Sequence, residues 1–186
     1  MGFRRGQGVT TSGRPYKFAS DLRYHGDEFL VENYYDQLEI LTRRGFALWD
    51  IVHSCQRPGS LDSNISKDIP NEIPEFCSQH APTLRRIVLA NGTSGFKFFQ
   101  KHFGDWLRSG KLHVLEKGET EESYKQQSVG NNPNELPIFV ISALAVSPAA
   151  ARYSYAEKRD FWEDYVYQPG LRNHREDPAC IKDQPL

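Results

Sequence analysis

Residues 45–65, GFALWDIVHSCQRPGSLDSNI, constrain the fold more than any other stretch, because an apolar run there stops abruptly at a polar, turn-forming loop. Phe46, Ala47, Leu48, Trp49, Ile51 and Val52 are nearly continuous apolar residues, the pattern of a short strand buried on both faces of a parallel sheet. Asp50 interrupts the run. A carboxylate inside a buried strand is costly unless it is paired. Asp50 therefore reads either as a group aimed into a site at the strand's carboxyl end or as a buried side chain bonded to a loop amide. Pro58, Gly59, Ser60, Asp62, Ser63 and Asn64 then supply turn chemistry and hydrogen-bonding groups. A loop at the carboxyl edge of such a strand is where open α/β sheets bind ligands.

A chain of 186 residues has room for one domain with a sizeable core. Its 23 basic and 24 acidic side chains nearly cancel, so any nucleic-acid contact must come from local patches. Cys55, Cys77 and Cys180 fit neither a metal-ligand spacing nor a disulfide framework, and no apolar leader precedes the first helix. That reads as a reduced, intracellular protein with no metal. No apolar run approaches the roughly 20 residues needed to cross a bilayer.

Residues 1–26 read as a flexible basic arm, with Arg4, Arg5, Arg14 and Lys17 and no apolar periodicity. It could touch phosphates or simply be disordered. Over 27–43, Leu30, Tyr34, Leu38 and Leu41 recur at helical spacing, with Gly45 as the C-cap. Pro70, Asn71 and Pro74 lead into a short helix holding Ile73, Phe76 and Cys77, which ends near His80. Ile87, Val88 and Leu89 make a second buried strand over 85–90. It runs through Asn91 and Gly92 into a helix over 94–106, with Phe96, Phe99 and Phe103 inward. Gly92 permits close backbone approach there, and the helix start offers unpaired amides.

Leu112, Val114 and Leu115 suit a third strand, residues 116–135 a polar surface excursion, and Ile138, Phe139, Val140 and Ile141 a further core strand. Ser154 and Glu157 spell a capping box, so a helix starts near Tyr155 and carries Phe161, Trp162 and Val166. Residues 168–186 read as a polar tail, which leaves 27–167 as the folded domain. Strands alternating with helices predict an α/β fold, a three-layer α/β/α sandwich with a short parallel sheet. Loops 53–65, 91–94 and 142–153 are expected to meet on one edge of it.

These segments, in this order, resemble the uracil-DNA glycosylase superfamily, and most closely its hypoxanthine-DNA (deoxyinosine) glycosylase branch. The resemblance lies in GFALWDIVHSCQRPGSLDSNI, Pro70-Asn71 before a helix, RIVLANG at 86–92, and SPAAARYSYAEK at 147–158 followed by Trp162. It covers roughly residues 34–165 and implies a monomer that flips uracil or hypoxanthine out of duplex DNA and cuts the N-glycosidic bond without a cofactor. By this resemblance Asp50 reads the base and Asn91 helps line the pocket. Ser147 and Pro148 match the loop that grips the phosphate and enters the minor groove. Arg152 and Lys158 are candidate phosphate partners, and Ser60 and Ser63 could bond the DNA backbone or one another. Residence in a DNA-containing compartment is implied with the activity.

The departures are equally specific. Family members begin with a central strand ending in a Gly-Ser-x-Pro-like motif, followed by an aromatic His-Pro-x-Asn segment. Here Pro15, Tyr16, Lys17 and Phe18 are the nearest remnant. Ala145 stands two residues before Ser147, where the uracil enzymes carry a histidine, and Ala143-Leu144-Ala145-Val146 replaces the Pro-Ser-Thr run of deoxyinosine enzymes. No residue is thereby assigned to position the water, and the expectation is a fold incomplete at its N-terminus, from a shortened version of a longer protein. A catalytically impaired or non-enzymatic DNA-binding relative is the competing reading. A small-molecule α/β enzyme is disfavoured, because the chain has no dinucleotide fingerprint, Walker-type loop or Gly-x-Ser-x-Gly elbow. His53 beside Cys55 as a nucleophilic pair, or with Cys77 as metal ligands, is weaker still.

Overall fold

The structure, a computed structural model, describes residues 34–59, 62–80, 83–127, 136–146 and 150–170. In chain order the strands are β1 (Val52–Gln56), β2 (Ser66–Pro70), β3 (Arg86–Leu89), β4 (Leu112–Val114) and β5 (Ile138–Ser142). The helices are α1 (Tyr34–Arg43), α2 (Ile73–His80), α3 (Gly92–Arg108), α4 (Glu121–Gln127) and α5 (Tyr155–Trp162), the last continuing through a π turn at Glu163–Tyr167. The chain divides into two compact units. One is Trp49–Ala143, and the other joins the chain up to Leu48 with the chain from Leu144.

Within Trp49–Ala143, β3, β5 and β4 form a parallel sheet in that spatial order, with β5 in the centre. Alternate residues of a strand face opposite sides, and β5 buries both. Val140 joins Leu89, Leu112, Phe99 and Phe103 of α3, and Ile73 and Cys77 of α2, in one core. On the other face Phe139 meets Tyr124 of α4, ring centroids 5.4 Å apart, and His113 of β4 at 6.0 Å. Helices thus cover both faces, and the fold is α/β with the expected three-layer order. The spacing of Phe96, Phe99 and Phe103 places α3 on the sheet, although the helix begins two residues before Ser94, at Gly92 with φ +56°.

The segment expected to be the first buried strand is not one. Residues 46–50 form no strand, Leu48, Trp49 and Asp50 are exposed, and pairing begins only at Val52. β1 then pairs antiparallel with β2 in a separate hairpin, Val52 opposite Pro70 and Gln56 opposite Ser66, with irregular register between. A continuous apolar run does not distinguish a strand from a connection that spends its side chains as anchors. Ile51 packs against the core in this way. Loop 53–65 consequently belongs to a hairpin and not to the carboxyl edge of the parallel sheet. The turn after β3 and the chain after β5 do follow neighbouring strands, and the Ala143 amide donates to the Leu89 carbonyl at 3.1 Å. The stretch expected to be an irregular excursion contains α4, whose Glu121 is buried.

In the other unit, α1 ends as its sequence predicts. Gly45 at φ +78° donates to the Thr42 carbonyl, and the Phe46 amide donates to that of Leu41, both at 2.9 Å, the paired bonds of a glycine-terminated helix. At the start of α5 the Glu157 amide donates to Ser154 Oγ while the Ser154 amide donates to Glu157 Oε2, completing the expected capping box. Residues 168–170 extend this helical run, and a Cβ at Gly170 would come within 2.7 Å of the Phe46 ring. The basic arm of residues 1–26, residues 27–33 of the first expected helix and most of the polar tail lie outside the described residues.

Candidate functional site

Asn91 stands at the carboxyl end of β3 as the N-cap of the 17-residue α3, exposed and with no capping bond from its side chain. Its carboxamide is therefore free to donate and accept. Ahead of it, the four orphan amides of the helix start and the positive end of the helix dipole favour an acceptor or an anion.

Asp50 is exposed in the segment leading to β1. Its carbonyl accepts from Asn71 Nδ2 at 2.7 Å, and the Asn71 amide donates to the Ile51 carbonyl at 2.9 Å. Asn71 thus ties the two ends of the hairpin, and the Asp50 carboxylate points from a fixed base instead of from a buried strand. At the hairpin tip, Asn64 Nδ2 donates to the Pro58 carbonyl at 2.9 Å and Arg57 lies 3.6 Å from Asp62. Ser63 is exposed in this short turn (Asp62–Asn64), whereas Ser60 lies outside the described residues.

The hairpin is held to α3 by a polar cluster that sequence reasoning missed. Asp68 of β2, with a side chain only 4% exposed, receives Lys101 Nζ at 2.6 and 2.7 Å and faces His102 Nε2 at 2.5 Å. The bond from Lys101, with that from His102, holds the Asp68 carboxyl down at about 2 against an ordinary 3.8. The sign follows directly. This carboxylate stabilises the folded state fully above pH 3.8, and its contribution is lost as the pH falls toward 2. Asp68→Asn should flatten the acid limb of a thermal-unfolding profile over that window, and an unaltered limb would show that the hairpin is held by something else. No local signal could reveal the cluster, because Asp68 and Lys101 are 33 residues apart.

The remaining expected residues are dispersed. Ser147 and Pro148 lie outside the described residues. Arg152 is exposed, its guanidinium 5.5 Å from the Tyr153 ring centroid, and Lys158 is buried on α5. Both belong to the second unit, while Asp50, Asn91 and Ser63 belong to Trp49–Ala143. Cys55 is exposed on β1, whereas Cys77 sits in the core, where burial pushes its thiol up to about 11. A thiol so raised is a poor nucleophile and a poor metal ligand. Among the described residues no three His, Cys, Asp or Glu side chains are grouped to hold a metal ion, and no helix is long and apolar enough to cross a membrane.

Neither a scan against protein-family models nor searches of curated proteins and of solved structures finds a match to this chain.

Proposed function

We propose that this chain is a DNA-repair glycosylase of the deoxyinosine or uracil type, which flips a deaminated base from duplex DNA and hydrolyses its N-glycosidic bond. The observation that carries the reading is Asn91. In the RIVLANG segment that resembles the family, it presents an uncommitted carboxamide at a strand's carboxyl end and a long helix's start. A flipped base is read by hydrogen bonds to its edge, and such a carboxamide supplies one donor and one acceptor from a position fixed by backbone alone. The Asp50 carboxylate, anchored through Asn71, would accept from the base's ring N–H. Ser147 and Pro148 would hold the phosphate.

A second reading is favoured by one specific observation. Asp50 is exposed ahead of a hairpin and not buried at a strand end, an arrangement that does not enclose it in the closed, water-excluding pocket that excision needs. On that reading the chain binds lesion-containing duplex without releasing the base.

Base release from labelled duplexes carrying a single uracil or hypoxanthine, read as alkali-sensitive cleavage, separates the two. Activity in the parent, with Asp50→Ala and Asn91→Ala each losing about 10²-fold or more as expected when a buried polar contact to the substrate is removed, supports excision. Lesion-selective binding with no release supports the second reading. Equal binding to intact and damaged duplexes, again without release, would remove both.

A further inference from the structure

Three aromatic rings gather on the exposed side of α2. Trp49 is 47% exposed and Phe76 37%, and their rings meet edge to face, centroids 4.9 Å apart and planes 77° to one another. His80 continues the row, its ring 4.6 Å from that of Phe76. The row follows from helical spacing, since Glu72, Phe76 and His80 stand four residues apart on one ridge. Large apolar rings left facing water in a contiguous row mark an interaction surface more often than scattered ones do.

The charge around the rings selects the partner. Glu72 and Glu75 are both exposed on α2 or at its start. Carboxylates of this kind repel a phosphate backbone and attract lysine and arginine. Two aromatic walls at nearly a right angle also offer π faces to a cation, with the favourable distance within about 6 Å of a ring centroid. We propose that Trp49, Phe76 and His80, flanked by Glu72 and Glu75, form a docking surface for a cationic, apolar segment of a partner protein. This face would recruit a protein through α2 and Trp49, and the proposal rests on these rings and the two glutamates, not on the glycosylase reading.

The test uses the full chain and fluorescence anisotropy of a labelled hexapeptide of alternating arginine and leucine. The matching glutamate–leucine hexapeptide and a thymidine octamer serve as comparison probes. The arginine peptide should bind the parent, and reversing charge with Glu72→Lys and Glu75→Lys together should weaken it by about tenfold or more. Both side chains are exposed, so the reversed variant keeps its fold, which circular dichroism verifies. Trp49→Ala should weaken binding about two- to fivefold, the worth of one exposed cation–π contact. No binding of the arginine peptide, equal binding of the glutamate peptide, or affinity untouched by charge reversal would overturn the proposal. So would octamer binding that Trp49→Ala abolishes and charge reversal strengthens, which would assign the surface to nucleic acid.

Discussion

Phe99→Ala is expected to cost the Trp49–Ala143 unit about 3–5 kcal/mol, the range for truncating a fully buried phenylalanine. Phe99 is 0% exposed. Its ring lies 5.1 Å from that of Phe103 and 6.0 Å from that of Trp106, and it belongs to the cluster that joins α2, α3 and all three parallel strands. A domain's whole stability is only about 5–15 kcal/mol, so this one substitution removes a large share of it. Urea unfolding followed by tryptophan fluorescence measures the loss directly. A loss below about 1 kcal/mol would mean that the site collapses around the cavity far more readily than its packing indicates. The effect reaches the candidate site, because α3 carries Asn91 at its head and Lys101 and His102 along its length. Asn91→Ala offers the contrast, since an exposed, uncommitted side chain can be lost with little change in stability. A variant that loses base release while keeping the parent's unfolding midpoint therefore places the defect in recognition, not in folding.

What the sequence made legible was whatever short-range chemistry decides. The Phe96, Phe99 and Phe103 spacing, the glycine after α1 and the Ser154–Glu157 box each specify an element within a few residues, and the elements follow. The parallel strands were legible too, since β3 and β5 are short apolar runs, and β5, buried on both faces, leaves no alternation to read. Residues 46–52 were misleading for the same reason. Their side chains are apolar apart from Asp50, but the strand that pairs, beginning at Val52, is VHSCQ, largely exposed and without a buried face, and only its partner 10 to 18 residues on fixes where it starts. Asn91 was legible as a strand-end residue. Asp68 was not, because a carboxylate in SKDIP acquires its meaning only from Lys101 and His102, which the fold brings from elsewhere.

Glu121 makes the same point with the larger electrostatic consequence. It sits in a stretch whose composition reads as solvated surface, yet its side chain is 6% exposed and forms an ion pair with Arg86 of β3, itself 9% exposed. The pair ties α4, which covers one face of the sheet, to an edge strand. Burial pushes the Glu121 carboxyl above its ordinary 4.5, and the Arg86 charge pulls it partly back. Removing one partner of a buried pair takes away part of the other's compensation, so Glu121→Ala should destabilise the fold by up to about 3–5 kcal/mol, whereas Arg86→Met with Glu121→Leu should recover most of the loss. The pH dependence runs opposite to that of Asp68. With the folded pKa raised, the carboxyl's contribution is complete below its unfolded value and is lost as the pH rises through the folded one. Glu121→Gln, which fixes the neutral form, should therefore gain on the parent in thermal stability as the pH climbs from 4.5. A constant difference would mean that the Arg86 charge and hydrogen bond cancel the desolvation of Glu121 completely.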